Sequence, residues 1–123
     1  MAGTLVIDTL KSSTTGAPVF QNTSGTEIGQ LCKAWVNFNG VTTATIRASF
    51  NVSSVVRNAT GDYTVNFTNT LPDANFSAVA AMNASASGTD ARVLTFTTAS
   101  LKIITVNSST QIDADPVCVA VFR

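Results

Sequence analysis

From Leu31 to its C-terminus the chain alternates apolar and polar residues with a period of two, in short runs separated by turn residues. Successive side chains of a strand point to opposite faces, so this pattern commits the region to half-buried strands rather than amphipathic helices. In LCKAWVNF, Cys32, Ala34, Val36 and Phe38 share one face, and Leu31, Lys33, Trp35 and Asn37 the other; Asn39-Gly40 then supplies a turn. TATIRASF places Ala44, Ile46, Ala48 and Phe50 together, and VSSVVR continues after Asn51 as far as a turn at Asn58-Ala59-Thr60-Gly61. DYTVNFT has the sharpest alternation, with Tyr63, Val65 and Phe67 facing in. Leu71-Pro72-Asp73-Ala74 breaks the chain, and NFSAVAAMNA resumes it with Phe76, Ala78, Ala80 and Met82 on one face. Ser87-Gly88-Thr89-Asp90 reads as a turn before RVLTFTT and LKIITVN, which are joined at Ala99-Ser100. Asp113-Ala114-Asp115-Pro116 leads into VCVAVFR.

The expected fold is all-β: an antiparallel, jelly-roll-like β-sandwich of about eight strands with an extended N-terminal arm. Two strands depart from strict alternation. Residues 76–82 carry small and apolar residues on both faces, and VCVAVFR is apolar almost throughout. Both patterns predict burial on two sides. Residues 1–30 differ from the rest: a short apolar segment, TLVIDTL, is followed by KSSTTGAPVFQNTSGTEIGQ, rich in Ser, Thr and Gly. The expected organisation is an attachment arm over 1–30, anchored by apolar residues such as Val19 and Phe20, and a head over 31–123. TLVIDTL is a candidate strand, either of that arm or integral to the sandwich.

The polar residues are mostly uncharged. The chain of 123 residues has 19 Thr, 12 Ser and 10 Asn but only 11% charged residues, against roughly 25% in an average domain. Seven basic and seven acidic side chains cancel, and the basic ones lie apart, so there is no footprint for nucleic acid. With 45% apolar residues and so little charge, part of the apolar surface is expected to be covered by neighbouring subunits. No stretch approaches the roughly 20 apolar residues that span a bilayer, and MAGTLVIDTLKSS lacks the basic start of a secretory signal. Seven Asn-x-Ser/Thr triplets, at Asn22, Asn51, Asn58, Asn66, Asn75, Asn83 and Asn107, are therefore read as unmodified. For the same reason Cys32 and Cys118 are read as buried free thiols rather than a disulfide.

The residues of chemistry are scarce. There is no His, and Glu27 is the only Glu. Asp62, Asp73, Asp90, Asp113 and Asp115 all fall at expected turns, where Asp bonds the backbone. Asp113 and Asp115, two apart, are a weak calcium candidate without a surrounding ligand series. Two Cys with no His do not make an ordinary zinc site. Neither a G-x-S-x-G elbow nor a phosphate-binding glycine loop occurs. Trp35 and Tyr63 can stack on a sugar, but each lies in a strongly patterned strand and is expected in a core or subunit interface. The chain is expected not to be an enzyme, with no catalytic, cofactor-binding or metal-binding residues.

CKAWVNFNG (32–40), TIRASFNVSSV (45–55), GDYTVNFT (61–68) and LPDANFSAVA (71–80), with the closing VCVAVFR, resemble the domain found at the tips of many tailed-bacteriophage tail fibres. The start of the chain is similar to that of small phage tail proteins. The resemblance implies a virion structural protein, a small tail-fibre-like appendage involved in host attachment and assembled as a homotrimer. The implied partners are its own copies, other virion proteins through the arm, and a host surface glycan or protein, with neither nucleic acid nor membrane insertion. The implied location is the virion, assembled in the bacterial host cytoplasm. A tail fibre has a long shaft before its tip, and only about 30 residues precede this head, so the alternative is a capsid decoration or cement protein.

Overall fold

A computed structural model of the chain describes residues 3–13, 18–83 and 87–123. Part of the KSSTTGAPVF tract and the end of NFSAVAAMNA lie outside these residues. Backbone packing divides the chain into two units, 1–31 and 32–123. In the first unit residues 3–13 form no strand, which corrects the expectation for TLVIDTL. Among its described residues the one regular feature is a small hairpin of β1 (Phe20–Gln21) and β2 (Glu27–Gly29). Asn22 turns it: its side-chain carbonyl accepts the amides of Ser24 and Thr26 at 3.0 and 2.9 Å, and Gly25 takes the positive φ of 78° that a Cβ would strain.

The second unit is all-β among its described residues and antiparallel throughout, as the alternation predicts. Its strands are β3 (Cys32–Asn39), β4 (Thr45–Phe50), β5 (Val52–Ala59), β6 (Asp62–Phe67), β7 (Ser77–Met82), β8 (Thr89–Phe96), β9 (Ser100–Asn107), the two-residue β10 (Thr110–Gln111) and β11 (Val117–Phe122). One sheet runs β4-β3-β11-β7. In the other, β9 pairs with β8 along one side and with β6 and then β10 along the other, and β5 lies outside β6. The last strand pairs with the first, as in a jelly roll, while local hairpins set much of the remaining order.

The two sheets close over one core. Ala34, Val36 and Phe38 of β3 and Val117, Val119 and Val121 of β11 meet Tyr63 and Val65 of β6 and Leu101 and Ile103 of β9. Phe38 packs edge-on against Tyr63, with ring centroids 5.2 Å apart. Toward the other end of β6, Phe67 packs against Phe76, and Phe76 against Phe96. A single residue carries the chain from one sheet to the other: Asn51, in the left-handed conformation with φ 54°. Its side chain donates to the carbonyls of Lys33 and Asn69 at 3.0 and 3.1 Å and accepts the Asn69 amide at 2.7 Å. Asn tolerates this conformation and its amide replaces the ladder bonds lost at the corner.

One strand departs from its pattern. Asn37 pairs with Ala48 but Phe38 with Ile46, so Arg47 is an extra residue, a β-bulge. The bulge reverses the alternation. Ile46 stays with the core, while Ala48 and Phe50 share the outer face with Asn37 and Trp35. The expected common face of Ala44, Ile46, Ala48 and Phe50 is thereby split. Asp62 and Asp90 likewise lie inside β6 and β8 rather than in turns.

Candidate interaction surface

Each sheet buries one face in the core, and the two outer faces differ in chemistry. On the β5-β6-β9-β8 sheet, cross-strand rows bring together Ser54, Asn66 and Ser100, then Val56, Thr64, Lys102 and Thr95, then Asp62, Ile104 and Arg92. The polar groups satisfy one another. The Asn66 amide donates to the Ser54 hydroxyl at 3.0 Å, Asn58 donates to Asp62 and Thr64 at 2.9 Å, and Lys102 pairs with Asp62 at 2.9 Å. Burial pushes the Asp62 carboxyl up, but Asn58 and Lys102 outweigh it and hold the group below its usual value.

The outer face of the β4-β3-β11-β7 sheet is apolar. One row is Phe50, Trp35, Ala120, Val79; the next is Ala48, Asn37, Cys118, Ala81; Phe122 follows Ala120 along β11. Trp35 is 40% exposed, Phe50 55%, Val79 59% and Phe122 40%. The small residues of β11 and β7 lie between the large ones, so the surface dips into a depression of about 330 Å3 beside Trp35, over Asn37, Cys118 and Ala120. Neither row contains a charged residue. The side-chain carbonyl oxygen of Asn37 is buried and has no hydrogen-bond partner among the described residues.

Comparison of the chain with protein-family profiles, with curated proteins and with solved structures finds no match in any of the three.

The residues that the sequence offers for chemistry are built into the scaffold. Asp113 is the hub of a polar knot at one end of the sandwich. Its carboxylate accepts a two-pronged contact from Arg57, at 2.9 and 2.8 Å, and the Gly61 amide at 2.9 Å. The Tyr63 hydroxyl lies 3.0 Å from both Asp113 and the Gly40 carbonyl. The Arg57 guanidinium is the main reason that the Asp113 carboxyl is lowered to about 2, aided by the Gly61 amide and Tyr63 against the cost of burial. Gly61 has no room for a side chain: a Cβ there would lie 2.6 Å from the Thr105 and Ile112 carbonyl oxygens, and φ is +64°. A carboxylate so fully engaged holds the β5–β6 turn against the segment before β11. Asp115 pairs with Arg47 instead, so the two members of the calcium candidate are drawn to different arginines. Among the described residues no three side chains are grouped to hold a metal ion.

Tyr63 is fully buried, and burial is the first cause raising its hydroxyl's pKa. Of the two sugar-stacking candidates only Trp35 reaches the surface, and it does so within the apolar face. Cys32 and Cys118 are free and half-buried on the neighbouring strands β3 and β11. Cys32 pairs with Phe122 and Cys118 with Asn37, so four residues of β11, roughly 14 Å, separate them, far beyond disulfide reach. Asn51, Asn58 and Asn66, all in glycan-type triplets, spend their side-chain amides on hydrogen bonds within the fold.

Proposed function

We propose that this chain is a bacteriophage virion structural protein, a small tail-fibre-like appendage that assembles as a homotrimer and takes part in host attachment, with no catalytic role of its own. The observation that carries the assembly part of this reading is the apolar outer face of the β4-β3-β11-β7 sheet on a head with few charges. An apolar patch of several hundred Å2 gathered on one sheet face is often a functional interaction site. The phage part rests on the blocks of resemblance. They fall on β3 with its turn, on β4 and β5 around Asn51, on β6, on the loop and strand of β7, and on β11. The absence of an enzymatic role is supported by the acidic groups, which serve as structural anchors: Asp113 on Arg57, Asp73 on Arg123 and Asp62 on Lys102.

The arm, residues 1 to about 30, is the proposed attachment to the particle. Leu5, Val6, Ile7, Leu10, Val19 and Phe20 are all exposed, and burying them would supply docking energy at roughly 25 cal/mol per Å2. Deleting residues 2–29 and co-sedimenting the product with particles tests the reading. The expected result is a soluble, β-rich head that no longer incorporates. Full-length protein that never co-purifies with particles would overturn it. An alternative role as a capsid decoration protein would show as a copy number matching the capsid lattice rather than the tail.

A further inference from the structure

We infer that the outer face of the β4-β3-β11-β7 sheet is the surface on which copies of this chain pack against one another. The inference rests on the assembly part of the reading above and deepens it by naming the surface. Four observations favour a second copy as the occupant. First, the patch is large enough to be the apolar centre of an interface. The exposed fractions of Phe50, Trp35, Val79 and Phe122 alone correspond to roughly 400 Å2, about half of the roughly 800 Å2 that one partner gives to a standard interface.

Second, the patch holds both halves of a fit. Trp35 and Phe50 form a ridge on β3 and β4, and the small side chains Ala120, Cys118 and Ala81 form the trough beside it. In a cyclic trimer each contact sets one part of a copy's surface against a different part of the next copy's, so a face that surrounds the axis has to offer both the ridge and the trough that receives it. A ridge alone or a trough alone would call for a different partner. Third, the two rows carry no charge and the chain has zero formal net charge, so bringing copies together meets little repulsion. Fourth, covering the face withdraws little polar surface from water. The polar side chain of the trough floor, Asn37, already has its carbonyl oxygen buried.

The ridge also explains the bulge at Arg47. Without that extra residue Phe50 would fall on the core side; with it, Phe50 stands beside Trp35. Arg47 itself is turned to Asp115, outside the two rows.

The test is sedimentation of the full chain carrying Val79→Arg, with Ala81→Arg as a second variant and Val56→Arg, on the opposite sheet, as the control. All three positions are exposed, so the substitutions leave the core intact, and circular dichroism checks that the β signal is kept. Wild type and Val56→Arg are expected to assemble at micromolar concentration, while Val79→Arg and Ala81→Arg weaken assembly at least a hundredfold. Folded Val79→Arg and Ala81→Arg proteins that assemble like wild type would overturn the choice of face and leave the assembly reading standing. A wild-type chain that stays monomeric would overturn both. An independent readout is alkylation of Cys118 in a Cys32→Ala protein. It is expected to be slow at high protein concentration and to speed up at least tenfold on dilution; a rate independent of concentration would overturn the inference.

Discussion

The two outer faces of the sandwich are made by the same rules and end in opposite states. On the β5-β6-β9-β8 sheet every second residue is Thr, Ser, Asn, Asp or Lys for much of the surface, and these side chains bond one another across the strands. On the β4-β3-β11-β7 sheet the equivalent positions are Phe50, Trp35, Ala120, Val79 and Phe122. The polar groups of the first face are largely satisfied by one another, and Val56 and Ile104 are isolated apolar residues among them. The second exposes apolar area that nothing else in the head covers, and burial of such area is the dominant favourable term in association. In a chain with so few charges, the difference between the faces says where partners belong.

The knot around Asp113 serves both faces and sets the scale of effects. Asp113→Ala removes the acceptor that Arg57, the Gly61 amide and Tyr63 share, leaving Tyr63 only the Gly40 carbonyl and Arg57 only Thr60, and is expected to cost about 3 kcal/mol, a fall in Tm of roughly 15 °C. Thermal unfolding followed by circular dichroism checks it, and the loss should appear whether or not the protein is assembled. The pH dependence follows in sign. The folded Asp113 carboxyl sits at about 2, below its unfolded value of 3.8, so its contribution of about 2 kcal/mol is complete above pH 4. It is lost as the pH falls toward 2. Asp62 and Asp73, also lowered, push the same way. An acid limb that stays as steep in Asp113→Asn as in wild type would remove Asp113 from this account.

A smaller effect separates the faces. Trp35→Ala is expected to weaken assembly by about 2 kcal/mol, near thirtyfold in the dissociation constant, as truncation of a buried interface aromatic does. Asn66→Ala on the polar face loses one hydrogen bond to Ser54 and should cost about 1 kcal/mol of stability with no change in assembly. Equal effects of the two on assembly, measured by sedimentation, would erase the distinction between the faces. The smallest expected effect is that of a reducing agent. With Cys32 and Cys118 held apart on β3 and β11, the Tm should move by less than ~5 °C, equivalent to under roughly 1 kcal/mol.

Much of this contrast was legible in the sequence, and the exceptions have physical reasons. The alternation in DYTVNF matches the buried face of β6 residue for residue, and that in CKAWVNFN matches β3 from Ala34 onward, while Cys32, expected on the buried face, is half-buried like Lys33 beside the irregular pairing with β11. The unbroken apolar run of VCVAVF belongs to a strand between two partners in the sheet, with Val117, Val119 and Val121 in the core, but the expected burial on both sides is not met within the chain: Cys118 and Ala120 are half-buried and Phe122 exposed on the open face. TIRASF misled because a bulge shifts register by one residue, and nothing in its period shows where the extra residue falls. Asp113 read as a turn residue because its partners, Arg57, Gly61 and Tyr63, lie some fifty positions away. One hint was available in the sequence: in Val55-Val56-Arg57 the alternation puts Arg57 on the same face as Val55, so a charged side chain falls on the core side and calls for an acidic partner.

Trp35 is the chain's single tryptophan and stands in the middle of the open face, so its fluorescence reports on that face alone. The most direct measurement is its emission maximum and acrylamide quenching over a dilution series of the intact protein, alongside Val79→Arg. At micromolar concentration Trp35 is expected to be blue-shifted and protected from the quencher, to become red-shifted and accessible on dilution, and to be so already in Val79→Arg. An exposed Trp35 whose emission and quenching do not change with concentration would contradict this expectation.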